Sequence, residues 1–155
     1  MKRICASLLC LTLFLVPASA ASINVWPDWA EEALSWGQEV SIGQEFLNEP
    51  EETVTRGMAA QLLYEAAGEP AVVGECPFSD VSGAYADAVT WAAEQGILTG
   101  VGDGRYEPSR SVTRQEFAAI LWRRDGSPDM AVQGLEPFQD AGAVAEWARM
   151  PVLWT

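Results

Sequence analysis

Two arginines stand one residue inside what reads as a helix start, and each follows a threonine. They occur in "TVTRGMA" (Thr53 to Ala59) and "SVTRQEF" (Ser111 to Phe117), 58 positions apart. A threonine before a helix can cap it by accepting a backbone N–H from the first turn. An arginine as first helical residue is unfavourable by roughly 0.3–1 kcal/mol, because the amino end of the helix dipole is already positive. Stability alone would place an acid there, so Arg56 and Arg114 point to a task outside the helix. Free amides at a helix start attract anions, and an adjacent guanidinium converts that weak attraction into a clamp for a carboxylate or phosphate. A second reading makes each arginine the partner of one of the chain's own 22 acids, in a salt bridge between repeats.

Other chemistry is harder to build from this composition. The chain has no histidine, which removes Ser-His-Asp and Cys-His catalysis and histidine-based zinc sites. No pair of carboxylates has a spacing that singles out an acid/base couple. The turn around Asp103 lacks the alternating oxygen ligands of an EF-hand. The residues therefore point to binding rather than catalysis, with no metal or cofactor. Gly102-Asp103-Gly104 reads as a turn, or as a place where backbone approaches a ligand closely. Trp36, Trp91 and Trp154 recur at one position of each unit and read as core, with a sugar-stacking platform as the alternative.

These residues need elements to hold them, and the chain supplies a repeat of roughly sixty residues. Phe78-Ser79-Asp80 matches Phe138-Gln139-Asp140, and the two Val-Thr-Arg tripeptides match each other. Three copies begin and two finish. Tyr85, Ala88, Val89 and Ala92 lie on one helical face, and Gly96 is the left-handed stop. A turn-rich link, "TGVGDGRYEPSRS", leads to Thr113, whose hydroxyl forms a reciprocal capping box with Glu116. Phe117, Ile120 and Leu121 supply the buried stripe of the second helix, which ends at Gly126 before Pro128. In the first copy Thr55 caps, Leu62, Leu63 and Tyr64 pack, and Gly68 stops the helix; Met58 replaces the glutamate, so no box is expected. Asp80, and Asp140 after it, brace the chain entering the first helix or pair with an arginine. A helix pair with one apolar face cannot hide it alone, so the units stack against one another in an all-α assembly.

The amino-terminal residues 1–20 read as an export signal: Met1-Lys2-Arg3 is basic, Ile4 to Val16 is apolar, and Ala18-Ser19-Ala20 is a cleavage site. An uncleaved anchor is the alternative, and the leucine before Cys10 argues against lipidation. Removing the signal takes Cys5 and Cys10 with it, leaving Cys76 alone and no disulfide framework. Seven arginines against 22 acids then leave a net charge of −15, a field that disfavours nucleic acid and anionic lipid. Lysine is absent after the signal. Arginine's planar fork suits a carboxylate, although codon bias accounts equally well for the preference.

The second copy, "FSDVSGAYADAVTWAAEQGILTGVGDGRYEPSRSVTRQEFAAILWRR", resembles the S-layer homology (SLH) domains of bacterial cell-surface proteins. The match lies in Phe-x-Asp-Val, Ala-Val-x-Trp-Ala, Gly-Ile-x-x-Gly, Gly-Asp-Gly-x-Tyr-x-Pro and Thr-Arg-x-Glu at the family's spacings. The resemblance implies a divergent repeat over 21–70, a complete one over 76–128 and a third, truncated, over 136–155, packed as an incomplete pseudo-threefold bundle. It also implies a non-catalytic wall anchor that binds secondary cell-wall polysaccharide, often pyruvylated, in grooves between repeats. Arg114 and Arg56 would clamp the pyruvate carboxylate, Thr113 and Thr55 cap their helices, and Glu116 brace the motif. Gly102, Asp103 and Gly104 would shape the groove, with Asp80 and Trp91 beside it. The first copy lacks the Gly-Asp-Gly loop, which implies a degraded groove. In the third, Pro151 falls where Ala33 and Ala88 stand, at an expected cost of roughly 3 kcal/mol inside a helix. An assembly subunit that docks onto another SLH-bearing chain is the alternative function.

Overall fold

The computed structural model describes residues 27–44, 51–129 and 139–155. Residues 1–20, the expected export segment, and Phe138 lie outside the described residues. Among these residues the chain is all-α: α1 spans Glu31–Glu39, α2 Arg56–Ala66, α3 Ala86–Glu94, α4 Arg114–Arg124 and α5 Arg149–Trp154. Short 3₁₀ turns at Gly83–Tyr85 and Glu146–Ala148 lead into α3 and α5.

The helix ends follow the local chemistry. Thr55 and Thr113, both extended, take the amides of Met58 and Glu116 on their hydroxyl oxygens. Gly68, Gly96 and Gly126 adopt positive φ just past α2, α3 and α4, where a side chain would be strained. The first copy nevertheless has its box, contrary to the sequence expectation: the Thr55 N–H reaches the Met58 sulfur at 3.4 Å, so a thioether replaces the carboxylate as acceptor. Pro151 also costs less than expected. Because α5 begins at Arg149, the proline is its third residue, where a missing N–H breaks no helical bond.

Packing is staggered between units. The second helix of one repeat lies on the first helix of the next: α2 on α3, and α4 on α5. Ala59 and Ala60 on α2, and Ala88 and Ala92 on α3, are fully buried; such small side chains let two helices approach closely. Gly57 extends this logic, since a Cβ there would sit 2.6 Å from the Tyr85 ring. The core gathers Leu63, Val81, Val89, Ile97, Leu98, Tyr106 and Ile120 around that contact, so two repeats share one interior. Trp91 packs on Tyr64, ring centroids 5.7 Å apart, as the core reading expects.

Two expected core residues are on the surface. Trp36 is 56% exposed, and Phe117 is exposed while Ala118, Ala119 and Ile120 are buried in its place. The buried side of α4 is thus two alanines and an isoleucine, and the helix packs against α5.

Candidate functional site

The link between α3 and α4 is held from a distance. Val101 and Arg105 exchange a hydrogen bond across a tight turn in which Gly102, Asp103 and Gly104 all have positive φ. The Ser79 amide donates to the Gly104 carbonyl at 2.9 Å, and the Asp80 carboxylate accepts the amides of Tyr106 and Glu107, both at 2.8 Å. Chiefly the Tyr106 amide, against partial desolvation and with the Glu107 amide assisting, holds Asp80 below its usual carboxylate range. Asp80 therefore braces the loop before α4 rather than the entry to α3. Its counterpart Asp140 is exposed. Gly100, just before the turn, is required by close approach: a Cβ would lie 2.7 Å from the Arg105 carbonyl and from the Phe78 ring.

The two Thr-Arg helix starts, alike in sequence, differ in surroundings. At α2 the Arg56 and Gly57 amides donate to the carbonyls of Arg110 and Pro108, so the first-turn amides are occupied by the next repeat. Arg56 is 5% exposed. Its Nε donates to the Tyr106 carbonyl at 2.8 Å, one terminal nitrogen to the Thr99 carbonyl at 2.8 Å, and the other to Glu116 Oε1 at 3.2 Å. The guanidinium lies 4.4 Å from the centroid of the Tyr106 ring, whose hydroxyl returns a bond to the Arg56 carbonyl. This is the inter-repeat salt bridge that the sequence left open as the second reading.

Glu116 is more than a cap. Besides the Thr113 amide and hydroxyl, both at 2.9 Å, its carboxylate accepts from Arg110 at 2.5 Å and 3.2 Å and from Arg56. Burial alone would raise its pKa, but the Arg110 bonds, followed by those from Thr113, outweigh it and hold the carboxyl at about 2. Burial pushes the Tyr106 phenol, the floor of this network, up to about 12.

At α4 the arrangement is open. Arg114 is exposed and makes no ion pair or side-chain hydrogen bond among the described residues. It lines a cleft of about 640 Å³ with Thr113, Gln115, Asp140, Val144 and Val152. Gln115 fixes the far wall by accepting the Ala145 amide at 3.0 Å. A second cleft, about 430 Å³, lies beside Arg56, between Thr99-Gly100-Val101, the Glu116 and Arg123 face of α4, and Trp147. The structure thus brings Thr113 and Arg114 to one cleft and Arg56 and Glu116 to the other. Thr55, Asp80, Trp91 and the Gly102-Asp103-Gly104 turn line neither.

Arg110, Arg123 and Trp147 were not singled out as site residues from sequence, and Tyr106 stood there only as the aromatic of the Gly-Asp-Gly loop motif. Trp147 carried a signal: Trp147-Ala148 precedes Trp154 by the spacing at which Trp29-Ala30 precedes Trp36. A tryptophan twice in register, seven before the expected core tryptophan, marks a second position of its own.

No helix among the described residues is long and apolar enough to cross a membrane. The S-layer homology domain model matches residues 77–118. The chain is 32% identical over 147 residues to the surface-layer 125 kDa protein of Lysinibacillus sphaericus, covering 87% of this chain and 12% of that protein. It is 32% identical over 77 residues to cell surface glycoprotein 1 of Acetivibrio thermocellus, covering 46% of this chain and 3% of that one. With an endoglucanase of a Bacillus species it shares 29% over 129 residues, 74% of this chain and 14% of the relative. The chain therefore spans a small fraction of the relatives it matches. With the braced Gly-Asp-Gly loop and capped Thr-Arg-x-Glu helix start inside the matched residues, the chain belongs to the S-layer homology family of bacterial cell-surface proteins.

Proposed function

We propose that the chain is a non-catalytic surface anchor, exported by residues 1–20, whose repeats over 21–70, 76–128 and 136–155 hold an acidic secondary cell-wall polysaccharide. The observation that carries this reading is the uncommitted charge of Arg114. In a chain of net charge −13, an exposed arginine with no acidic partner among the described residues, on a cleft and at a helix start, suits a carboxylate such as a pyruvate ketal. Thr113 positions it. Glu116, Asp80, Arg56, Thr55 and the Gly102-Asp103-Gly104 turn act behind it, by fixing α4 and its loop, while Trp91 packs on Tyr64 of α2. Family membership and relatives named as surface-layer and cell-surface proteins support the anchoring role.

The ligand side offers a direct test. The chain should co-sediment with purified walls, and should stay in the supernatant when the wall carboxylates have been removed or converted to amides. Equal pelleting with intact and neutralised walls would sink the carboxylate reading. A docking role toward another SLH-bearing chain has its own motivation in Trp29 and Trp36, 71% and 56% exposed at α1. A concentration-independent monomer by light scattering would remove it.

A further inference from the structure

Residues 69–77, in the link between α2 and α3, form neither helix nor turn. One end is tied down, since the Glu69 amide donates to the Tyr64 carbonyl at 3.0 Å and the Tyr64 hydroxyl to the Pro70 carbonyl at 2.9 Å. Beyond it, residues 71–77 give and accept no hydrogen bond among the described residues. Val72, Cys76 and Phe78 are half-buried and Gly74 lies against the Glu94 side chain, whereas Ala71, Val73, Glu75 and Pro77 are exposed. This is the alternation of an extended strand with one side on the protein. Val73, at 95%, is the most exposed of the large hydrophobic residues described. We infer that this strand is a cleavage site for a serine endopeptidase with a small aliphatic S1 pocket, cut at the Val73–Gly74 bond, and that the nicked chain stays assembled.

An endopeptidase takes its substrate as an extended strand, pairing with the backbone and seating alternate side chains in pockets. Here the backbone N–H and C=O groups of Ala71, Val72 and Val73 are uncommitted, and a valine suits an S1 pocket too small for an aromatic ring. The other exposed valines stand in bonded backbone. The Val40 amide donates to the Trp36 carbonyl, the Val54 carbonyl accepts the Val112 amide, and the Val101 amide donates to the Arg105 carbonyl. Lifting residues 71–76 into a protease breaks no ladder and no helix, so the opening that cleavage requires is local. In the cut itself water adds its hydroxyl to the Val73 carbonyl carbon and a proton to the Gly74 nitrogen, leaving a carboxylate and an ammonium.

The two pieces have reasons to stay together that do not pass through the link. The first carries α2 and the second carries α3, the 99–110 loop and α4. Across the cut, the Arg56 and Gly57 amides bond the Arg110 and Pro108 carbonyls, and the Arg56 side chain bonds Thr99, Tyr106 and Glu116. The alanine faces of α2 and α3 are buried against each other.

Brief digestion of the full chain with pancreatic elastase, with the new ends mapped by mass spectrometry, tests the site. Within residues 51–129 the first cut should fall after Val73. Val73→Glu changes a side chain that stands in solvent, and should slow cleavage at this bond about tenfold or more, because a carboxylate does not suit a small apolar pocket. The nicked parent should run as two pieces on a denaturing gel yet elute with the intact chain in native size exclusion. A first cut elsewhere in 51–129, or Val73→Glu cut at this bond as fast as the parent, would overturn the site. Pieces that elute apart would overturn the claim that the repeats hold each other across the nick.

Discussion

Arg56→Met should unfold at a midpoint more than 10 °C below the parent, a loss of about 3 kcal/mol. The substitution keeps much of the aliphatic volume and removes the donors. The carbonyls of Thr99 and Tyr106 then lose their partner in a buried place, each orphaned acceptor costing on the order of 1–3 kcal/mol. The Tyr106 ring loses its cation. Glu116 keeps Arg110, which puts the expected cost at the low end of the roughly 3–5 kcal/mol for breaking a buried pair. Arg56→Lys should recover little, because an ammonium on a flexible stem cannot span three acceptors in the plane of a fork. Against a total stability of about 5–15 kcal/mol the effect is large. A midpoint within 2 °C of the parent would mean that the staple between the first two repeats is not where the geometry puts it.

The second large effect is acid sensitivity. Glu116 is held at about 2 from an ordinary value of 4.5. A carboxyl whose folded pKa lies below its unfolded one stabilises the fold fully above the unfolded value, and loses that contribution as pH falls through the folded one. The window is therefore from about pH 4.5 to about 2, and the loss is on the order of 3 kcal/mol. Asp80 shifts in the same direction, so the two add in sign. Urea unfolding at steps from pH 7 to pH 2 should show the parent weakening through this window, with Glu116→Gln less stable at neutral pH and visibly flatter below 4.5. Parallel curves for parent and variant would show that Glu116 is not the titrating group.

Much of this was written locally. The Thr-Arg helix starts, the positive-φ glycine stops and the face of Ala88, Val89 and Ala92 all depend on residues within a turn or two, where spacing is informative. What separated Arg56 from Arg114 was not local. Their tripeptides are identical, but Gly57 admits the Tyr85 ring and the loop from Thr99 to Arg110 closes over α2, whereas Gln115 stands at the matching place on α4. The contacts that commit Arg56 come from 43 to 60 residues away. Trp147 escaped for a related reason: the second repeat has Ala84 in its register, so the complete copy, which carried the family pattern, lacked the residue. Met58 shows a third kind of limit, in which a residue of the wrong type for a capping box closes one through sulfur.

The central claim is that two arginines of identical local sequence have parted, one holding the fold and the other left for a wall carboxylate. Measuring the affinity of Arg114→Gln for soluble wall polysaccharide by calorimetry, alongside its thermal midpoint, tests this most directly. The expected result is an unchanged midpoint with affinity reduced about 10- to 100-fold, the span of one charge-assisted pair. Parent-like affinity, or a melting loss as deep as that of Arg56→Met, would contradict it.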